Sequence, residues 1–110
     1  MAKNLMLTSI VTIANGGTTS TSITMERNRV PVALLTPSGL TGTSMTFQAS
    51  VDGTNFYDLY NGSSAYSLTV GASRYVALNP DVFQGVFYVR VISGSAEAAA
   101  RTLYIISGEI

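Results

Sequence analysis

Thr43-Ser44-Met45-Thr46-Phe47-Gln48-Ala49-Ser50-Val51, then Asp52-Gly53, then Phe56-Tyr57-Asp58-Leu59-Tyr60, is the stretch on which the fold turns. Met45, Phe47, Ala49 and Val51 recur with a period of two, and Thr46, Gln48 and Ser50 fill the alternate positions, as in a strand with one buried face. Asp-Gly is a strong hairpin signal, because both central residues of a type I′ turn need positive φ. The stretch predicts a β-hairpin whose second arm is residues 56–60.

The same pattern extends in both directions. Residues 5–13 alternate apolar positions with Thr8 and Thr12, and Asn15-Gly16-Gly17 ends that strand. Residues 23–25 begin a second, short strand, and Glu26-Arg27-Asn28-Arg29 concentrates charge in an exposed turn or rim. Residues 30–36 form a continuous apolar run that fits a strand buried on both faces, with Pro31 confining it to a strand start or a sheet edge. Short strands follow at 66–70 and 74–78, then the turn Asn79-Pro80-Asp81 and a single helical turn or bend at 82–85. Residues 85–93 are apolar on both faces and belong in the middle of a sheet. Residues 96–101 have the highest helix propensity of the chain but span only about one and a half turns, so a loop is expected. Residues 102–106 close the fold.

Eight or nine strands at a spacing of roughly 8–12 residues predict an all-β protein, an antiparallel β-sandwich or jelly roll of about eight strands. One domain over residues 1–110 is expected, with residues 1–22 as an N-terminal arm or an edge strand. Residues 1–7 are too short an apolar run for a signal-peptide core or a membrane span, so synthesis in the cytoplasm is expected.

Composition narrows the function. Six basic and six acidic side chains give zero net charge, so no overall field draws the chain to nucleic acid or to a membrane surface. Charged residues make up 11% of the chain, against ~25% in ordinary soluble domains, and Ser and Thr fill the gap. A neutral, hydroxyl-rich surface does little to repel a neighbour and favours association.

With no His and no Cys, the Ser/His/Asp triad, thiolate chemistry and the usual zinc ligands are excluded. Three weaker arrangements were open to chemistry. Asp52 and Asp58 lie on the two arms of one hairpin, as a glycosidase pair would, but turn geometry accounts for Asp52. Asp52, Asn55 and Asp58 are oxygen donors without the spacing of a calcium loop. A serine with Lys3 as base would need Lys3 buried. The reading is a non-enzymatic protein without cofactor or metal.

Aromatic residues are more informative. Tyr57, Tyr60 and Tyr66 cluster around one turn and could stack on sugar rings or anchor a protein partner, since tyrosine joins a large apolar area to a polar tip. With Arg27 and Arg29 on the charged rim, these tyrosines are the candidate interaction surface.

The run from Phe47 to Tyr60 resembles a hairpin found in small β-sandwich proteins of tailed-phage virions. The likeness continues through Ala72-Ser73-Arg74-Tyr75-Val76-Ala77-Leu78-Asn79-Pro80 and Phe83-Gln84-Gly85-Val86-Phe87-Tyr88-Val89-Arg90-Val91 to Arg101-Thr102-Leu103, about the C-terminal two-thirds of the chain. These residues look like the capsid decoration or cement class. Similar hairpins occur in carbohydrate-binding sandwiches and, with one more residue, in the Asp-box of sialidases. Here Phe56 stands where those have Trp.

The resemblance implies a virion structural protein on the capsid exterior, with the major capsid protein and its own copies as partners. A homo-oligomer is implied, a trimer favoured, with the Thr-rich residues 18–24 as an arm or an added strand. A carbohydrate- or receptor-binding module of a phage fibre or head is the alternative.

Overall fold

The computed structural model describes residues 6–25 and 29–109. Among them lie β1 (Leu7–Ile13), β2 (Ile23–Thr24), β3 (Arg29–Leu35), β4 (Ser44–Ser50), β5 (Tyr57–Asp58), β6 (Tyr60–Asn61), β7 (Ser64–Ala65), β8 (Ser67–Thr69), β9 (Tyr75–Ala77), β10 (Tyr88–Ser93) and β11 (Arg101–Glu109), with a 3₁₀ turn at Pro80–Phe83. One sheet runs β1-β11-β3-β9; the other runs β2-β10-β4-β5, with β8 pairing the first half of β4 and β6-β7 forming a separate ribbon. Every ladder is antiparallel.

Taking β5 to β8 as one interrupted strand leaves eight, and their order becomes 1-8-3-6 in one sheet and 2-7-4-5 in the other. Successive strands cross between the sheets at nearly every step, which is the double Greek key of a jelly roll. The chain is an all-β sandwich, as its strand spacing predicts.

Period-two patterning puts the core between the sheets. Val11, Ile13, Leu34, Leu103 and Ile105 from one sheet meet Met45, Phe47, Val89 and Val91 from the other, all essentially without exposure. Each such side chain stabilises the fold by about 1.5–3 kcal/mol over leaving it in water.

The structure differs from the sequence reading at several points. Pro31 lies inside β3, a central strand. The ladder with β11 shifts register between Ile106 and Ser107, and Ser107 stands opposite Pro31, so a bulge absorbs the missing N–H. Asp52-Gly53 is not a two-residue type I′ turn. Gly53 has φ +79, but Ser73 is the only non-glycine with positive φ among the described residues, and a six-residue loop separates β4 from β5. Val51 leaves the buried face and is 73% exposed, while Ser50 turns inward. Helical geometry falls at Pro80–Phe83, earlier than expected, because Asn79 Oδ1 accepts from the Asp81 N–H at 3.1 Å and Pro80 suits the first turn.

Residues 18–24 are held within the fold and do not extend from it as an arm. The Ser20 N–H donates to the Val91 carbonyl at 2.9 Å, the Ser93 N–H to Thr18 at 2.8 Å, and the Thr21 N–H to Thr12 at 2.9 Å. The Ser20 hydroxyl accepts from the Val91 N–H at 2.9 Å. This segment sews β1 to β10 across the sandwich edge.

Residues 96–100 form a loop and Arg101 already begins β11; the loop contains the buried carboxylate of Glu97. Its oxygens accept from the N–H groups of Thr41 (2.8 Å) and Gly42 (3.0 Å), from the Ser93 hydroxyl (2.9 Å) and from Arg101 Nε (3.0 Å). Burial alone would raise its pKa, but the Thr41 N–H, Ser93, Arg101 and the Gly42 N–H together lower it from 4.5 to about 2. Gly42 must lack a side chain, since a Cβ there would collide with the Ser93 hydroxyl.

Candidate functional site

The inner face of the second sheet runs on past the core. Met45 and Phe47 are covered, but the next inward residue of β4, Ala49, is only half-buried, and its cross-strand partner is Tyr57. Tyr57 therefore continues the core face, yet it is 69% exposed. Leu59, two residues on, shares that face and packs partly on the core.

Opposite them stand Val82 of the 3₁₀ turn and Val86 of the loop after it. Between the two walls the sandwich opens into an apolar concavity of about 180 Å³, with Ser50, Val51, Gln84 and Gly85 completing the lining. Phe87, next in the chain, is also more than half exposed.

An aromatic trio fixes the second wall. Phe83 meets Phe47 edge-on at 5.1 Å between ring centres and Tyr66 edge-on at 5.6 Å, and Phe47 and Tyr66 lie 5.9 Å apart. These are the separations that aromatic quadrupoles favour. The Tyr66 hydroxyl accepts from the Asn79 N–H at 3.1 Å, so the ring that packs the core also holds the residue that caps the 3₁₀ turn.

The first wall is fixed by the 51–56 loop. Ser50 Oγ accepts from the N–H groups of Asp52 (3.1 Å) and Gly53 (2.8 Å) and donates to Asp52 Oδ1 at 2.9 Å. The same Oδ1 accepts from the N–H groups of Thr54 (2.8 Å) and Asn55 (2.9 Å), and Oδ2 accepts from Asn55 Nδ2 at 2.9 Å. The Asn55 N–H first, then the Thr54 N–H and the Asn55 and Ser50 side chains, hold the Asp52 carboxyl well below the usual carboxylate range. A general acid needs the opposite shift.

Gly53 lies against the Tyr88 ring, and a Cβ there would come within 3.2 Å of it. Gly53→Ala will cost about 1–2 kcal/mol from the positive φ alone, and a urea titration will show it as a lower midpoint.

The outer face of this sheet has a separate row. Arg90 Nε donates to Gln48 Oε1 at 2.9 Å, Gln48 Nε2 donates to Asp58 Oδ1 at 2.9 Å, and the Arg90 guanidinium sits 4.1 Å from the centre of the Phe56 ring. Asp58 thus serves a ladder across β10, β4 and β5, on the face opposite Tyr57. Among the described residues no group of three acidic side chains gathers as a metal site would require.

The three tyrosines do not form one platform. Tyr57 stands at the mouth of the concavity, Tyr60 is exposed on the β6-β7 ribbon, and Tyr66 is half-buried in the aromatic trio. Arg29 is turned onto the fold, with Nε on Ser107 Oγ at 3.2 Å and Nη2 on the Ser107 carbonyl at 2.7 Å. Arg27 lies outside the described residues. Val51, Val82 and Val86 were not singled out in the sequence, where each reads as an ordinary apolar strand or bend position.

No family model matches the chain, and no curated protein matches it. Among solved structures it is similar to the crystal structure of SPBc2 prophage-derived protein YomS, over 99% of this chain and 99% of that chain, with a TM-score of 0.57 and 13% identity. At that identity the likeness is one of fold.

Proposed function

We propose that this chain is a non-enzymatic virion protein, a capsid cement or decoration subunit that docks on the major capsid protein lattice through the open end of its sandwich. The observation that carries this reading is the apolar concavity flanked by exposed Tyr57 and Val51 on a chain of low charge. At about 180 Å³ it is smaller than the ~300–1,000 Å³ of typical ligand pockets. It suits one apolar side chain of a partner, seated beside an aromatic anchor, as at interface hot spots.

The prophage origin of the similar structure, and the hairpin resemblance, support a phage setting. In this reading the protein is made in the host cytoplasm and works on the capsid exterior without cofactor, nucleic acid or membrane. Holding neighbouring capsid subunits together needs buried area at their junction and no chemistry, which fits carboxylates committed to loop and strand geometry.

Exposed Tyr57 beside a shallow concavity also favours a second reading, a carbohydrate- or receptor-binding module. The two separate cleanly. Purified virions will contain the protein in fixed ratio to the major capsid protein if the first holds. A glycan array that binds the wild type and loses it in Tyr57→Ala establishes the second instead.

A further inference from the structure

Edge strands of soluble sheets are usually guarded by charge, proline, a bulge or shortness. Three of the four edges here are short: β2 has two residues, β9 three, and β5 and β8 two and three. The fourth, β1, has seven residues, Leu-Thr-Ser-Ile-Val-Thr-Ile, without charge or proline and in unbroken register with β11. Three of the exposed large apolar side chains lie on it or next to it: Met6 (57%), Leu7 (44%) and Ile10 (56%).

The open side of β1 can be read from its last turn. Thr12 accepts from the Thr21 N–H and donates its own N–H to Thr21 Oγ1 at 3.0 Å, so its backbone groups point away from β11. Backbone direction alternates along an antiparallel strand, so the N–H and C=O of Ile10 and Thr8 point the same way. Among the described residues nothing bonds them on that side.

We propose that β1 pairs antiparallel with β1 of a second copy, about a two-fold axis at Ser9. Ile10 then stands opposite Thr8 of the partner subunit and exchanges backbone hydrogen bonds with it, about four bonds in all for the two symmetric pairs. A two-fold edge places each residue near its own copies, so a charged edge would repel itself, and β1 has no charge to repel. Leu7 faces the partner's Val11, and the two Ile10 side chains meet diagonally within reach of each other.

Ile10 also begins an apolar row across the outer face, in register with Tyr104, Leu35 and Tyr75. Pairing would make that row continuous over two four-stranded sheets. The symmetry is two-fold, in place of the three-fold that the hairpin resemblance implied, and the argument is independent of capsid binding.

Light scattering on the purified full chain tests it. The expected mass is twice 11.6 kDa at tens of micromolar. Ile10→Pro, which removes only an outward N–H, and Ile10→Lys, which sets like charges across the axis, should each give monomer with an unchanged strand signal in circular dichroism. Ser9→Cys should form a covalent dimer on air oxidation, since non-hydrogen-bonded pairs lie ~4.5 Å apart at Cα, within disulfide range. A monomer at every concentration, or an oligomer that both Ile10 variants leave intact, overturns the proposal.

Discussion

Replacing Glu97 with alanine will cost about 3–5 kcal/mol, because it leaves the Arg101 guanidinium and the N–H groups of Thr41 and Gly42 facing a buried void without an acceptor. That is a large part of the ~5–15 kcal/mol that holds an ordinary domain, and for a chain of this size it lowers Tm by ~15–25 °C. Glu97→Gln keeps one acceptor oxygen and should lose roughly half as much.

The pH dependence has a definite sign. The folded pKa of Glu97 lies below its unfolded value, so its contribution is complete above about 4.5 and disappears as pH falls towards about 2. Urea midpoints at pH 7, 4 and 2.5 should therefore show the wild type converging on Glu97→Gln in acid. A gap that stays constant across that range would show that the carboxylate charge contributes nothing.

Phe83→Ala will cost about 3–5 kcal/mol, the usual range for a fully buried phenylalanine. The loss is not confined to stability. Phe83 ends the 3₁₀ turn and packs on Phe47 and Tyr66, so its removal frees Val82 and Val86 from one wall of the concavity. Tyr66→Phe provides the contrast: it keeps the rings and loses only the bond from the Asn79 N–H, about 1 kcal/mol. Urea unfolding of the two variants side by side should show that difference in midpoint with similar slopes.

Much of the architecture was legible in the chain because period-two alternation is a local signal. Met45 and Phe47, and Val89 and Val91, face inward as that period requires, and residues 96–100 stay a loop because one and a half turns cannot sustain a helix. The misreadings arose where side-chain hydrogen bonds or strand pairing override a backbone preference. Asp52-Gly53 reads as a two-residue turn, but the Ser50 hydroxyl and the Asp52 carboxylate gather four backbone N–H groups and open it into a longer loop. Pro31 reads as an edge marker, yet a bulge in β3, which leaves Val32 without a cross-strand partner on β11, lets it lie in a central strand.

The site was harder to read than the fold. Tyr57 stood out by type, but its role depends on Val82 and Val86, which the jelly-roll crossing brings from twenty-five residues or more downstream. Tyr66 has the same local look as Tyr57 but packs half-buried against the core, because it falls where Phe47 and Phe83 meet its ring. Glu97 sits in a run of alanines that says nothing of a buried carboxylate, and its backbone partners lie 55 and 56 positions away.

In the proposed function the open end of the sandwich is the surface that meets the capsid. The most direct test is a sedimentation titration of the wild type and Val86→Arg against assembled shells of the major capsid protein with which the proposed function pairs it, after matched unfolding midpoints show both variants folded. Wild-type binding should saturate at a fixed ratio to capsid subunits, and an arginine in the concavity should weaken it at least ~30-fold, the loss of a hot spot worth ~2 kcal/mol. Equal binding by the two proteins, or no binding of the wild type to the shells, would contradict the account.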